Sequence, residues 1–206
     1  MKIILFFLLS TLLFSNTYPT FTPTELMKIQ KNNGIISKNR ILDYKKKINK
    51  IREYSQSKQL RTVNFYLNQL LPQYDNIINK KEDYWATPKE FLITGYGDCE
   101  DYVIIKYFTL IKLGFDEKKL FLNIVKENYR GGYHMVLSYF KVKGESPLVL
   151  DNLSFKILNL DERKDLEADV FINSTGVYRL KNNKLVKIAN YSREYIQLLK
   201  NIQKEN

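Results

Sequence analysis

The hydrophobic pattern of this chain changes period once, and that change constrains its fold more than any other feature. Up to Leu113 the apolar residues recur at helical spacing; from Leu120 they alternate. Residues 24–56 carry Leu26, Ile29, Ile41, Tyr44, Ile48 and Ile51 at that spacing, interrupted at Asn33-Gly34, which predicts two helices. "LRTVNFYLNQLL" at 60–71 predicts a third, stopped by Pro72. In "DYWATPKEFLITG", Pro88 suits the first turn of a short helix capped by Thr87. A longer helix is predicted from about Cys99 to Leu113, between an Asp98 cap and Gly114. Val103, Ile104, Tyr107, Phe108, Leu110 and Ile111 cover so much of its circumference that burial on more than one side is expected. After it, "LFLNIVKENY" and "YHMVLSYFKV", around Arg130-Gly131-Gly132, read as an antiparallel hairpin. "SPLVLDN" reads as a third strand ending at Asp151. "ADVFINSTGVYRL" adds strand material with a turn at Ser174 to Gly176. Helices first and an antiparallel sheet after them predict an α+β fold with a central helix packed on the sheet. Beyond about residue 180 no pattern is defined.

The N-terminus addresses the compartment. Met1 and Lys2 precede an uncharged run, "IILFFLLSTLLF", and then polar "SNTYPT", the outline of a secretory signal peptide. The run falls short of the about twenty apolar residues that cross a bilayer. Residues 1–18 are therefore expected to be an export signal. A retained anchor is the alternative, because only Ser15 and Thr17 supply small residues near a cut. Residues 19–206 fit one domain. The net charge is +11, with eleven Lys or Arg between Lys28 and Arg61 against Asp43 and Glu53. Six acids (Glu82, Asp83, Glu90, Asp98, Glu100, Asp101) cluster in the middle with only Lys89 among them. In an exported chain the basic ends suit an anionic membrane face, an acidic partner or plain solvation. No nucleic-acid motif is present, and no nucleic-acid partner is expected.

The chain has one cysteine, Cys99, and one histidine, His134. A lone thiol makes no internal disulfide, so in an exported protein it is either a buried core residue or a chemical one. Cys99 falls in the first turn of the predicted central helix. Unpaired backbone N–H groups and the dipole there lower a thiol's pKa and offer oxyanion donors. His134 lies on the second arm of the hairpin, and Asp151 closes the neighbouring strand. Cys, His and Asp in that order supply a nucleophile, a base and an acid that orients the base. A buried cysteine with an incidental histidine is the bland alternative. A metal site with one Cys and one His is a minor one.

Three acids surround the thiol, Asp98 before it and Glu100 and Asp101 after it. Asp98 with Asp101 three residues on resembles a capping box, and acids in a first turn suit the dipole. The competing reading is a hard cation held by oxygens of this turn, which would offset the negative charge that otherwise raises the thiol pKa. Asp101 is the weakest ligand candidate, and no continuous EF-hand loop is present. Trp85 and Tyr96 are either core residues or walls of a substrate groove. Asn152 either orients Asp151 or is a turn residue.

"DYWATPKEFLITGYGDCEDYVIIKYFTLIKLG", "HMVLSY" and "PLVLDN", with Val63-Asn64 and Tyr74-Asp75, resemble the bacterial transglutaminase-like cysteine proteinases, the LapG group of periplasmic proteases. The resemblance is dense from about residue 63 to 153. It implies a papain-like, transglutaminase-type fold, with nucleophile, base and orienting acid at Cys99, His134 and Asp151. It also implies calcium as cofactor, with ligands flanking the nucleophile at Asp98 and Glu100. The implied activity is cleavage near the N-terminus of a large secreted adhesin, which releases the adhesin from the cell surface and so controls biofilm attachment. The implied regulator is an inner-membrane cyclic di-GMP receptor that sequesters the protease. Acyl transfer to an amine, which transglutaminases perform with the same triad, is a second enzymatic reading. A catalytically idle binding module is a third reading, disfavoured by the intact triad.

Overall fold

The computed structural model describes residues 17–72, 84–129, 131–181 and 184–205. Most of the expected export segment, Tyr74-Asp75, the acids Glu82 and Asp83, and Arg130 lie outside them. Helix α1 (Pro23–Ile51) starts at a capping box in which the Thr22 hydroxyl accepts from Glu25 N–H at 3.2 Å and Glu25 accepts from Thr22 N–H at 2.7 Å. Its two halves meet at Gly34, whose φ of 88° is open to glycine and breaks the helical path. Helix α2 (Gln56–Leu67) starts and ends earlier than its apolar pattern suggests. Its end is set by Asn68, whose amide donates to Asp151 O at 2.7 Å and Ser154 O at 3.1 Å. A two-residue strand β1 (Leu71–Pro72) pairs in parallel with β2 (Tyr96–Gly97). Between them in sequence, α3 (Pro88–Thr94) carries the predicted Thr87 cap and Pro88 first turn.

Helix α4 (Cys99–Lys112) is the centre of the molecule, and every residue from Asp101 to Ile111 is buried. One side packs on β3 (Leu120–Glu127) and β4 (Tyr133–Tyr139), the other on α2 and α3. Behind it the Tyr44 hydroxyl meets Thr109 Oγ1 at 2.8 Å, tying α1 to the same helix. β3 and β4 form the predicted hairpin, with Val125 opposite His134 and Leu122 opposite Leu137. They sit within a seven-stranded antiparallel sheet of order β6-β5-β4-β3-β7-β8-β9. The other strands are β5 (Leu148–Asp151), β6 (Ser154–Asn159), β7 (Leu166–Asn173), β8 (Gly176–Lys181) and β9 (Lys184–Ala189). Met135, Leu137, Tyr139 and Leu150 join the helix-facing core, while Val125, Val136, Val149 and Leu166 form a smaller cluster of their own.

The fold is a mixed helix and antiparallel-sheet architecture, as the change of period predicts. It contains elements that the sequence reading did not define: the short pair β1 and β2, the outer strands β6 and β9, and a final helix α5 (Arg193–Lys204). Ser192 caps α5, and Tyr195, Leu198 and Ile202 bury its inner stripe in the main core, with Tyr107 of α4 and Tyr195 hydroxyls 3.2 Å apart. The folded unit also reaches Tyr18, placed at the end of the expected export segment. This side chain is 1% exposed, packs edge-on to Phe108, and donates to Glu205 at 2.5 Å. Among the described residues no helix is long and apolar enough to cross a membrane.

Candidate active site

A short chain of backbone constraints sets Cys99 at the start of α4. Helix α3 ends at Gly95 in the left-handed region, φ 82°. The Arg40 guanidinium donates to the last carbonyls of α3, Leu92 O at 2.9 Å and Ile93 O at 2.8 Å, and any Cβ at Gly95 would run into it. One member of the basic N-terminal run thus has a structural task, while most of the lysines of α1 are exposed. Gly97 then passes close to Asp101, and Asp98 enters α4 as its N-cap. Asp101 is 2% exposed. It accepts Ala86 N–H at 2.8 Å through Oδ1 and reaches back to Asp98 N–H at 3.4 Å through Oδ2. The capping reading of this acid therefore holds, and it also ties α4 to the 84–87 segment.

The thiol of Cys99 is half-buried against the core and lies 3.0 Å from Glu100 Oε2, with Met135 N–H also directed at the sulfur. Burial raises the thiol pKa most. The Glu100 charge and hydrogen bond, and then Asp98, add to it, while the Met135 N–H works the other way. The hostile company seen in the sequence is thus real in space.

Met135 follows His134 on β4, which brings the histidine to the Cys99 end of α4. His134 is 7% exposed, and its Nε2 lies 2.9 Å from Asp151 Oδ1. Asp151 is 1% exposed, at the end of β5, where the register against β6 shifts between Val149 and Asp151. Such a bulge re-aims the side chain that follows it. The same Oδ1 accepts Leu153 N–H at 2.9 Å, and Oδ2 accepts from Arg163 at 2.9 Å. Burial opposes the charge on Asp151, but the His134 hydrogen bond and charge, the Leu153 amide and Arg163 outweigh it and hold the carboxyl well below its usual range. An ionised carboxylate only accepts hydrogen bonds, so His134 carries a proton on Nε2. A groove of about 410 Å³ opens beside this cluster, lined among others by Glu127, Tyr129, Leu153, Lys156 and Arg163.

The structure therefore joins His134 to Asp151 directly and brings Cys99 against the backbone next to His134. Trp85 lies in the core, and Tyr96 is partly exposed. Asn152 is in the turn between β5 and β6, and the donors on Asp151 are His134, Leu153 and Arg163 instead. Arg163 was missed because its segment has no periodicity to place it; only the local Arg163-Lys164-Asp165 charge pairing hinted at a fixed side chain. For a cation, Asp98 and Glu100 offer the hard oxygen donors that calcium takes, flanking the thiol. Asp101 has both oxygens turned to backbone amides. Among the described residues, no group of three or more His, Cys, Asp or Glu side chains converges as a metal cage. The fit is thus confined to those two acids.

A comparison with curated protein sequences finds no match. Solved structures of Legionella pneumophila LapG do match. The calcium-bound form is 30% identical with a TM-score of 0.74, covering 86% of this chain and 98% of that one. The EGTA-treated form is 32% identical with a TM-score of 0.73, covering 86% and 97%. A third LapG structure is 31% identical with a TM-score of 0.72, covering 89% and 97%. The pattern shared by bacterial transglutaminase-like cysteine proteinases (BTLCP) matches residues 38–165, the span from the second half of α1 to Asp165 that contains the Cys99 helix and the His134–Asp151 pair. With a transglutaminase-like, papain-type fold of LapG architecture around that span, the chain belongs to the bacterial transglutaminase-like cysteine proteinases.

Proposed function

We propose that this protein is a calcium-dependent endopeptidase of the periplasm, exported by its N-terminal segment, that cuts the N-terminal region of a large surface adhesin and so controls biofilm attachment. Cys99, His134 and Asp151 are its catalytic residues. The observation that carries the reading is the His134–Asp151 contact at 2.9 Å between β4 and β5, with Met135, the residue after His134, turning its amide to the thiol. In this arrangement His134 Nδ1 takes the Cys99 proton as the sulfur attacks the scissile carbonyl. Backbone N–H groups at the first turn of α4 receive the oxyanion. His134 then passes the proton to the leaving amine and afterwards draws a proton from the water that hydrolyses the thioester. Asp151, kept ionised, stabilises the imidazolium through Nε2–H.

Asp98 and Glu100 are the residues that would hold calcium, and a cation there would offset the negative charge that raises the thiol. The calcium-bound and EGTA-treated forms of Legionella pneumophila LapG support this choice of ion. The resemblance supplies the adhesin substrate and an inner-membrane cyclic di-GMP receptor as regulator. The test is incubation of the purified protein with the N-terminal region of a large repeat adhesin from the same genome. Cleavage is expected with calcium, and is expected to be lost with EGTA, in Cys99→Ala, and in the Asp98→Asn/Glu100→Gln double variant. Cleavage persisting in Cys99→Ala would overturn the nucleophile assignment. Full calcium-stimulated activity in the double variant would return both acids to helix capping.

A further inference from the structure

A carboxylate that orients a histidine must be kept from rotating, and Asp151 is too buried for water to do this. Its Oδ1 is taken by His134 and Leu153 N–H, so the rotation is decided at Oδ2, where the donor is Arg163 Nη2 at 2.9 Å. Arg163 is in turn held from its other side. Asp165 accepts from Nε at 2.8 Å through Oδ1 and from the same Nη2 at 2.6 Å through Oδ2. The backbone fixes this pair to the rest of the site, since Asn128 N–H donates to Asp165 O at 2.9 Å at the end of the hairpin that carries His134. A continuous line of hydrogen bonds therefore runs His134, Asp151, Arg163, Asp165. Its inner members are buried, while the Asp165 side chain is 39% exposed. The planar guanidinium can serve two carboxylates at once with fixed geometry, which an ammonium cannot.

We propose that Arg163, aimed by Asp165, is a positioning residue for His134: acting through Asp151, it fixes the imidazole with its proton on Nε2 and its Nδ1 facing the thiol. This rests on the triad reading above and extends it by two residues outside the triad. Because His134 is the only histidine in the chain, ¹⁵N-histidine labelling yields one pair of ring signals from which the tautomer is read directly. The wild type is expected to show the Nε2–H tautomer alone, and Arg163→Met a mixture of the two. On the adhesin N-terminal fragment, kcat of Arg163→Met should fall about tenfold or more with KM unchanged, the range typical when a supporting partner of an active-site ligand is removed. Arg163→Lys restores the charge but not both bonds and should recover only part of each readout. Asp165→Asn, remote from the reacting atoms, should shift the tautomer in the same direction and lower kcat several-fold.

An Arg163→Met protein that folds and keeps the pure Nε2–H tautomer overturns the proposal, whatever its kcat. If that variant does not fold, Asp165→Asn decides in its place, and an unchanged tautomer and kcat overturn the proposal. A wild type that cleaves nothing would defeat the protease reading separately, because the tautomer comparison needs no substrate.

Discussion

Gly97 shows how closely single atoms are set around the start of α4. A Cβ added there would lie 2.5 Å from Asp101 Oδ2 and 2.9 Å from Phe91 Cδ2. Asp101 would have to swing away, releasing the Ala86 and Asp98 amides it now satisfies. Gly97→Ala is therefore expected to destabilise the protein by about 1–3 kcal/mol in chemical denaturation. It should also lower the cleavage rate; a variant with wild-type midpoint and rate would show that the contact is slack. At this scale the sequence was legible where a residue's task is local. The pairing of Asp98 with Asp101 could be read from their spacing, and so could the Thr87 cap. The partners of Asp151 could not, since Arg163 reaches it across a turn whose path no local rule predicts. Glu100 is intermediate: its closeness to the thiol follows from adjacency, but its carboxylate lying 3.0 Å from Sγ depends on rotamers.

At the level of elements, α4 is the one whose sequence and structure agree most closely, because its all-round apolar surface admits only a central position. It nevertheless carries a conflict. Lys106, in its middle, is 0% exposed, with no hydrogen bond to its ammonium among the described residues and the Tyr102 ring 5.9 Å away. Burial depresses its pKa to about 7, with Asp151 pulling the other way. Between pH about 7 and the ordinary lysine value near 10, the unfolded chain holds a proton that the folded chain has released. Stability from this group therefore rises with pH across that window. Lys106→Met should remove the rise and stabilise the protein near neutral pH by about 1–4 kcal/mol, as an apolar replacement of a buried charge commonly does. Denaturation midpoints at several pH values check both statements, and a Met variant less stable than wild type at pH 7 would refute them. The edge strands β6 and β9 escaped the sequence because their burial is incomplete and their alternation weak. Helix α5 was more readable than the reading allowed, since Tyr195, Leu198 and Ile202 already stand at helical spacing after a Ser192 cap.

Across the whole molecule, the two ends of the described residues are tied together near α4. Glu205 accepts from Tyr18 and Thr87, each at 2.5 Å, and its backbone carbonyl accepts from Lys89 at 3.1 Å; Lys89 in turn pairs with Glu25 at 2.7 Å. Burial raises the Glu205 pKa against the pull of these donors. Replacing Glu205 by Ala leaves two hydroxyls without their acceptor and should cost about 1–3 kcal/mol, a few degrees in Tm. An unchanged Tm would mean that the knot is only surface contact. Nothing in the sequence announced this cluster, because it joins residues nearly the full chain apart. Thr87 sits next to Ala86, whose amide holds Asp101 and through it the start of α4. Residue 205 is added to the growing chain long after Cys99, so this brace of the loop before α4 arrives only after β9 has been made. A chain synthesised only as far as β9 would thus bear its thiol before the Thr87 side of that loop has its acceptor.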